Sequence, residues 1–191
     1  MISNARMRGF TLIELMVALA IAALLLLIGL PSFTTFLRNS EIRSTSESLL
    51  NGLRAATTEA ANRNKKVTFE LAGATGADWR FWVLDDDGVT QKELQSYSKK
   101  EAGSSSKITL TPAGQLTVTF NGLGRVEIDP ANPDNHIRRI DIDSIVAGEA
   151  RPLRIIVDDP NPPVAGRPRG LRLCDPDPAL AALAPPDPRA C

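Results

Sequence analysis

The stretch from Gly9 to Leu30 consists of a glycine and 21 residues whose only charged side chain is Glu14. A helix rises about 1.5 Å per residue, so an apolar run of this length spans the hydrocarbon core of a bilayer. A carboxylate inside such a run costs roughly 2.5–3.5 kcal/mol on insertion and usually marks a functional position. The sequence therefore predicts a membrane-spanning helix whose glutamate does more than anchor the chain.

The nine residues up to Gly9 form a short leader that carries Arg6 and Arg8 and has no acidic residue. Positive charge on the N-terminal flank keeps that side in the cytoplasm, so the rest of the chain is expected outside the membrane. The sequence lacks the small-x-small cleavage site that follows the apolar core of an ordinary secretory signal. A plain single-span anchor with an incidental glutamate is the alternative interpretation.

This N-terminal segment resembles the signal of type IV pilins and type II secretion pseudopilins, in which prepilin peptidase cuts after a glycine and methylates the new N-terminus. The resemblance implies that Gly9 is the cleavage glycine, Phe10 the methylated N-terminal residue and Glu14 the fifth-position glutamate used in assembly. Pro31 lies where pilin helices commonly carry a proline. The implied location is the bacterial inner membrane, crossed once with the C-terminal domain periplasmic, and then a filament of pilins or pseudopilins.

Beyond the apolar run, the periodicity of the sequence predicts one helix and then a β domain. Apolar residues at three- and four-residue steps extend the helix to about Arg63, with a transmembrane part at 10–30 and an amphipathic part at 31–63. Pro31 lacks a backbone donor, so a kink or local melting is expected there. Residues 64–163 change to a period of two, which predicts strands at Lys66–Leu71, Trp79–Leu84, Lys107–Leu110, Leu116–Phe120, Arg125–Ile128, Ile137–Ile142 and Leu153–Val157. Strands after one helix indicate an α+β fold with an antiparallel sheet packed on the helix.

The two cysteines, Cys174 and Cys191, both lie near the C-terminus. In the oxidising compartment expected outside the membrane, such a pair is typical of one structural disulfide. A metal site is disfavoured, because the sequence has a single histidine and no third thiol to complete a ligand set. We therefore predict that Cys174 and Cys191 are joined.

The combination of a long helix, a two-sheet β domain and a C-terminal cysteine pair is similar to the GspH/FimT branch of the pilin superfamily. The segment from Phe120 to Arg125 is similar to that branch's aromatic-x-x-x-Gly-Arg turn. Residues 166–169, Gly-Arg-Pro-Arg, match the GRxR pattern of DNA-binding FimT-type minor pilins. Residues 170–174, Gly-Leu-Arg-Leu-Cys, occupy the place directly before the first cysteine where many members carry this element. Either the motif is displaced by an insertion, or the second segment is its equivalent.

The Pro/Arg-rich C-terminal tail, residues 164–191, begins with a basic segment that ends at Cys174, although the whole chain is neutral, with 22 basic and 22 acidic residues. Arg167, Arg169 and Arg172 lie in a stretch without acidic residues, and the resemblance implies that they bind DNA phosphates without reading bases. The alternative is a solvated basic segment that faces the carboxylates at positions 175, 177 and 187. A last set of basic residues provides candidate outlying contacts: Arg151, Arg154 and Lys65–Lys66.

Catalysis is not indicated by the remaining residues. His136 lies in a Pro-Asp-Asn-His turn and is predicted at the surface, and Asp85–Gly88 lacks the glutamate of a calcium loop, which favours a hairpin turn. We expect no enzyme activity, cofactor, metal or small-molecule substrate. The expected partners are other pilins or pseudopilins, prepilin peptidase, the membrane and DNA. Two functions remain: a minor pilin that binds DNA for uptake in natural transformation, or an H-type pseudopilin of a type II secretion system.

Overall fold

The computed structural model describes residues 10–72, 77–85, 88–98, 106–146, 148, 150–158, 170–183 and 187–191. Its architecture is the expected α+β fold, a long N-terminal helix packed on an antiparallel two-sheet β domain. In chain order the elements are α1 (Leu12–Arg63), β1 (Val67–Leu71), β2 (Trp79–Leu84), β3 (Gln91–Tyr97), β4 (Ser106–Thr111), β5 (Thr117–Phe120), β6 (Arg139–Ser144), β7 (Leu153–Ile156), β8 (Arg172–Cys174) and α2 (Pro178–Ala181).

Both ends of α1 are capped by their own sequence. At the N-terminus the Thr11 hydroxyl accepts a hydrogen bond from the Glu14 amide at 3.2 Å, the first half of a Thr-x-x-Glu capping box. At the C-terminus Asn64 adopts a left-handed conformation with φ of 50°. The amides of Asn64 and Lys65 then donate to the carbonyls of Ala61 and Ala60, the paired bonds of a Schellman motif. These caps explain why the helix begins and ends where it does.

The helix continues without interruption through Pro31, so the expected local melting is wrong. Proline cannot donate to the carbonyl four residues earlier, which removes one helical hydrogen bond. The carbonyl of Pro31 itself accepts from the hydroxyls of Thr34 at 2.8 Å and Thr35 at 3.1 Å. The helical bonds on either side of the single lost one maintain the helix.

The chain divides into two compact units, Met1–Leu37 and Arg38–Cys191. In the first unit the large apolar side chains that the structure describes are exposed, with Phe10 at 84% and Leu27 at 70%. By length and composition α1 is the one described helix that is able to cross a membrane, with a mean hydropathy of 2.8 over its most apolar window. The second unit contains the hydrophobic core.

The strands form two four-stranded antiparallel sheets. Sheet 1 has the order β3-β2-β1-β5, and sheet 2 has the order β4-β6-β7-β8. In β1, β2 and β4 every second residue is buried, which is the alternation that the sequence displays. The core between helix and sheets is made of Ile42, Leu49, Leu53, Ala56, Ala60, Phe69, Phe81, Phe120, Ile140, Ile142 and Ile155, among other buried residues.

Gly52 allows close contact between α1 and sheet 1. A Cβ atom at this position would lie 2.8 Å from the ring of Trp79, whose indole N–H donates to the Ser48 hydroxyl at 3.2 Å. The Trp79 ring stacks between Phe69 at 5.8 Å and Phe81 at 6.1 Å, measured between centroids. Through Trp79, this aromatic cluster packs sheet 1 against α1.

Several boundaries differ from the sequence expectations. Gln91–Tyr97 forms edge strand β3, which periodicity missed because almost all of its side chains are exposed. The predicted strand Arg125–Ile128 is wrong: within it the structure has an isolated bridge from Val126 to Phe120. The strand predicted at Ile137–Ile142 begins later, at Arg139, and runs to Ser144. The strand predicted at Lys107–Leu110 is one residue longer at each end and runs from Ser106 to Thr111.

Candidate functional site

The N-terminal part of α1 presents the predicted assembly residues. Glu14 lies in the first turn and shares a shallow groove with Ile13, Val17, Ala18 and Ile21. Its backbone amide is capped by Thr11, so the carboxylate stands at the positive end of the helix dipole. An exposed apolar surface with one carboxylate can pack against lipid or against like helices. The predicted cleavage glycine, Gly9, lies outside the described residues.

The turn from Phe120 to Arg125 docks against the C-terminal end of α1. The Asn121 side-chain oxygen accepts from the amides of Leu123 at 3.0 Å and Arg125 at 3.1 Å. Gly124 has a φ of 71°, and a Cβ there would lie 3.1 Å from the Thr57 methyl on α1. A left-handed backbone and close contact with the helix both favour glycine at position 124. The motif therefore builds a structural turn that leaves Arg125 exposed.

The disulfide prediction is confirmed. Cys174 and Cys191 are bonded, with their Cα atoms 5.1 Å apart. Ile156 of β7 is buried together with both cysteines in a small second cluster. The short helix α2 begins at Pro178 and ends at Ala181, and the Asp177 carboxylate caps it by accepting from the Ala179 amide at 2.9 Å. The end of the chain is thus held against sheet 2.

The three predicted DNA-binding arginines are described only in part. Arg167 and Arg169 lie outside the described residues. Arg172 lies on β8, paired with Ile156 of β7, so this part of the predicted tail is an edge strand of sheet 2 rather than a loop. Its Nη2 donates to the main-chain oxygen of Cys191 at 3.0 Å, which holds the half-buried guanidinium against the sheet.

The outlying basic residues lie next to carboxylates. Arg154 pairs with Asp141, and the Arg151 guanidinium is 4.0 Å from the Asp175 carboxylate. Lys66 donates to Glu127 at 2.8 Å. The Lys66 and Arg151 side chains are exposed, and ion pairs of exposed groups are worth less than about 1 kcal/mol, so these two remain accessible to a competing anion. The Arg154–Asp141 pair is partly buried.

The expectation that His136 is a surface residue is wrong. Its side chain is only 5% exposed, and Nε2 lies 3.6 Å from the Asp158 carboxylate without a hydrogen-bond partner among the described residues. Burial lowers the pKa of His136 below its ordinary value, and the nearby Asp158 opposes that shift in part. The imidazole is therefore neutral at pH 7. A turn sequence gave no signal of this burial, because the partners that hold the segment are distant in the chain. The Ile137 and Arg138 amides donate to the carbonyls of Thr117 and Thr111, and the Arg138 carbonyl accepts from the Val157 amide.

The fold and the exposed apolar helix define a class: subunits of the pilin and pseudopilin type, which carry their membrane segment at the N-terminus. Residues 4–30 match the model of the prokaryotic N-terminal methylation motif, and residues 45–160 match the model of the type II transport protein GspH. The second match covers more than half of the chain, so the chain belongs to the GspH family. The chain thus combines an N-terminal methylation motif with a domain of the GspH family.

Two kinds of solved structure are similar to this chain. The type IV minor pilin FimU of Pseudomonas aeruginosa is 18% identical and matches 71% of this chain and 97% of its own, with a TM-score of 0.49. The minor pseudopilin EpsH from the type 2 secretion system of Vibrio cholerae is 16% identical and matches 72% of this chain and 98% of its own, also with a TM-score of 0.49. No curated protein matches the chain.

Proposed function

We propose that this chain is a minor pilin that joins a type IV pilus through α1 and binds DNA through C-terminal arginines, as a step of natural transformation. The observation that carries the assembly half is the apolar surface of α1 with its single carboxylate, Glu14. The observation that carries the DNA half is the presence of three arginines in an acid-free stretch of the sequence that runs into β8.

Assembly follows from the chemistry of the helix N-terminus. Prepilin peptidase would cut between Gly9 and Phe10, which creates a free amine four residues before Glu14. In a low-dielectric membrane or filament core, a carboxylate and the amine of a neighbouring subunit attract strongly, whereas one of these charges left alone is costly. The pair would select one axial register between subunits. The N-terminal residue should accordingly be N-methylated phenylalanine in the mature protein.

The assembly test uses Glu14→Gln and Glu14→Leu in pilus-producing cells. Glutamine keeps the size of the side chain and the Thr-x-x-Gln form of the capping box but removes the charge. Both variants should insert in the membrane and be poorly incorporated into sheared filaments, because the charged pair is lost. Thr11→Ala removes the cap alone and is the matched control that should still assemble. Normal incorporation of Glu14→Gln would refute the charge-pair mechanism.

The expected strength and salt dependence of DNA binding follow from the number of phosphate contacts. Three arginines that neutralise three phosphates imply a slope of about −2.7 in log K against log salt for duplex DNA, so binding is weak and easily screened. Several copies along one filament would raise the effective affinity through avidity. Weak, sequence-independent contacts are adequate for capturing DNA of any sequence.

The DNA test compares Arg167→Gln/Arg169→Gln with Arg54→Gln/Arg80→Gln, which removes the same charge from exposed positions on α1 and sheet 1. Fluorescence anisotropy with a labelled duplex at low salt should show a large loss of affinity for the first pair and little change for the second. Equal losses would indicate a general charge effect, and an absence of wild-type binding would refute the DNA half of the proposal.

A second candidate, an H-type pseudopilin of a type II secretion system, is favoured by the match to the GspH model. In this case the C-terminal unit would contact protein partners rather than DNA. Deletion of the gene distinguishes the two functions: loss of DNA uptake with normal protein secretion supports the minor pilin, and the reverse result supports the pseudopilin.

A further inference from the structure

The outer face of sheet 2 gathers charged residues that are far apart in the sequence. Arg139 and Asp141 lie on β6, Arg154 on β7 and Arg172 on β8. The register pairs Asp141 with Arg154, and it pairs both Arg139 and Arg172 with Ile156. Residues paired across antiparallel strands, and residues two apart on one strand, share a face. We call these four charged residues the arginine face.

One carboxylate serves two guanidiniums on this face. The Arg154 Nε donates to Asp141 Oδ1 in a short hydrogen bond, and the Arg139 Nε lies 3.3 Å from Asp141 Oδ2. The Arg139 Nη2 also donates to the Thr111 hydroxyl at 3.1 Å. The Arg139, Arg154 and Asp141 side chains are 32%, 23% and 24% exposed. These three side chains are therefore partly desolvated, and two guanidiniums against one carboxylate give them a net formal charge of +1.

The net formal charge of the whole outer face of sheet 2 is also positive. Lys107 on β4 lies opposite Asp143 on β6, so these two charges cancel in the count. Arg172 adds a third guanidinium two strands away from Arg139. With neighbouring strands about 4.8 Å apart, Arg139 and Arg172 are about 10 Å apart, the axial length of about three nucleotides of one DNA strand. Ile156 lies between them in the register and is buried with Cys174 and Cys191, so the two arginines flank this cluster.

We propose that the arginine face is a phosphate-contacting surface for the backbone of duplex DNA, with Arg139 as a contact residue alongside Arg154 and Arg172. The inference rests on the proposed function and moves part of its binding surface from the tail to the sheet. The described residues of the face include no aromatic side chain, so it offers no platform for stacking unpaired bases. It contacts phosphates and does not read sequence.

Substitution of Asp141 provides the most direct test of the proposal. A phosphate that approaches Arg139 or Arg154 must compete with this carboxylate and is repelled by it. Asp141→Asn keeps an oxygen that can accept from Arg154 but removes the negative charge. This substitution should strengthen DNA binding if the arginine face meets phosphates, whereas a purely structural cluster would be weakened by it or be unaffected in binding.

The experiment uses the full mature chain in non-ionic detergent and a labelled 30-base-pair duplex, with anisotropy measured over a range of salt concentrations. Arg139→Gln should lower the affinity by up to about eightfold at 0.1 M salt and reduce the salt slope by about 0.9, as expected for one lost phosphate contact. Arg139→Lys should retain most of the binding. Asp141→Asn should bind more tightly, and Arg80→Gln on the outer face of sheet 1 should match the wild type.

The outcomes separate this inference from the function on which it rests. Wild-type protein that binds no duplex at low salt refutes the proposed DNA function. Wild-type protein that binds, loses affinity in Arg167→Gln/Arg169→Gln and is unaffected by Arg139→Gln and Asp141→Asn refutes the arginine face alone. If thermal unfolding shows that Arg139→Gln does not fold, the binding measurements on Arg139→Lys and Asp141→Asn test the inference instead. Unchanged or weaker binding by Asp141→Asn then overturns it.

Discussion

Replacement of both Cys174 and Cys191 by serine tests how the end of the chain is held. The two cysteines are 17 positions apart. In the chain-entropy model, opening a loop of this length restores about 11 cal/mol/K to the unfolded chain, which is about 3 kcal/mol at 25 °C. The free energy of unfolding of Arg38–Cys191 should fall by this amount.

Removal of the disulfide also weakens packing and hydrogen bonding near the two cysteines. Ile156 is 3% exposed, and the cysteines are the two other members of its buried cluster. Arg172 also donates to the Cys191 main-chain oxygen. Without the bond, residues 187–191 lose their covalent attachment to β8, so both the apolar cover and this hydrogen bond weaken. These local losses should make the observed value slightly larger than the entropic one.

Thermal unfolding followed by circular dichroism measures the change. A unit of the size of Arg38–Cys191 has an unfolding entropy of about 0.3 kcal/mol/K, so Tm should fall by about 10 °C. The matched control is a reducing agent, which should lower the Tm of the wild type and leave that of the double serine variant unchanged. A variant that unfolds within 2 °C of the oxidised wild type would refute the reasoning.

The other predictions concern the buried histidine and the glycine turn. Because burial holds the pKa of folded His136 below the unfolded value of 6.5, its contribution to stability is complete above that pH and is lost as pH falls through it. His136→Gln should therefore flatten part of the fall in Tm between pH 7.5 and 5, and an unchanged pH profile would contradict this. Gly124→Ala combines left-handed strain with a contact on α1 and should cost about 2–3 kcal/mol in denaturant unfolding. Gly114→Ala, also left-handed but with open space around it, isolates the strain at about 1–2 kcal/mol, so equal costs would count against docking of the turn.

Elements with local signals were predictable from the sequence. The period of the apolar residues located α1 as far as Arg63, and the alternation located β1 and β2 almost to the residue. The cysteine pair was predictable because few arrangements suit two thiols outside the membrane. By contrast, β3 carries an almost fully exposed sequence, so its partner β2 and not its own pattern makes it a strand. Secondary structure that depends on a neighbour leaves little trace in the segment itself.

Among the candidate sites, too, some features were predictable from the sequence and others depended on the fold. The N-terminal motif was recognisable from the sequence by itself, because a charge in an apolar run is costly wherever the run goes. The roles of Gly9, Phe10 and Glu14 within this motif stay predictions. The sequence also determined the α+β class. Only the tertiary structure decided that His136 is buried and that Arg139 and Arg154 share Asp141. These facts depend on strands brought together from 13 or more positions away, and burial and charge pairing are properties of that arrangement rather than of any one segment.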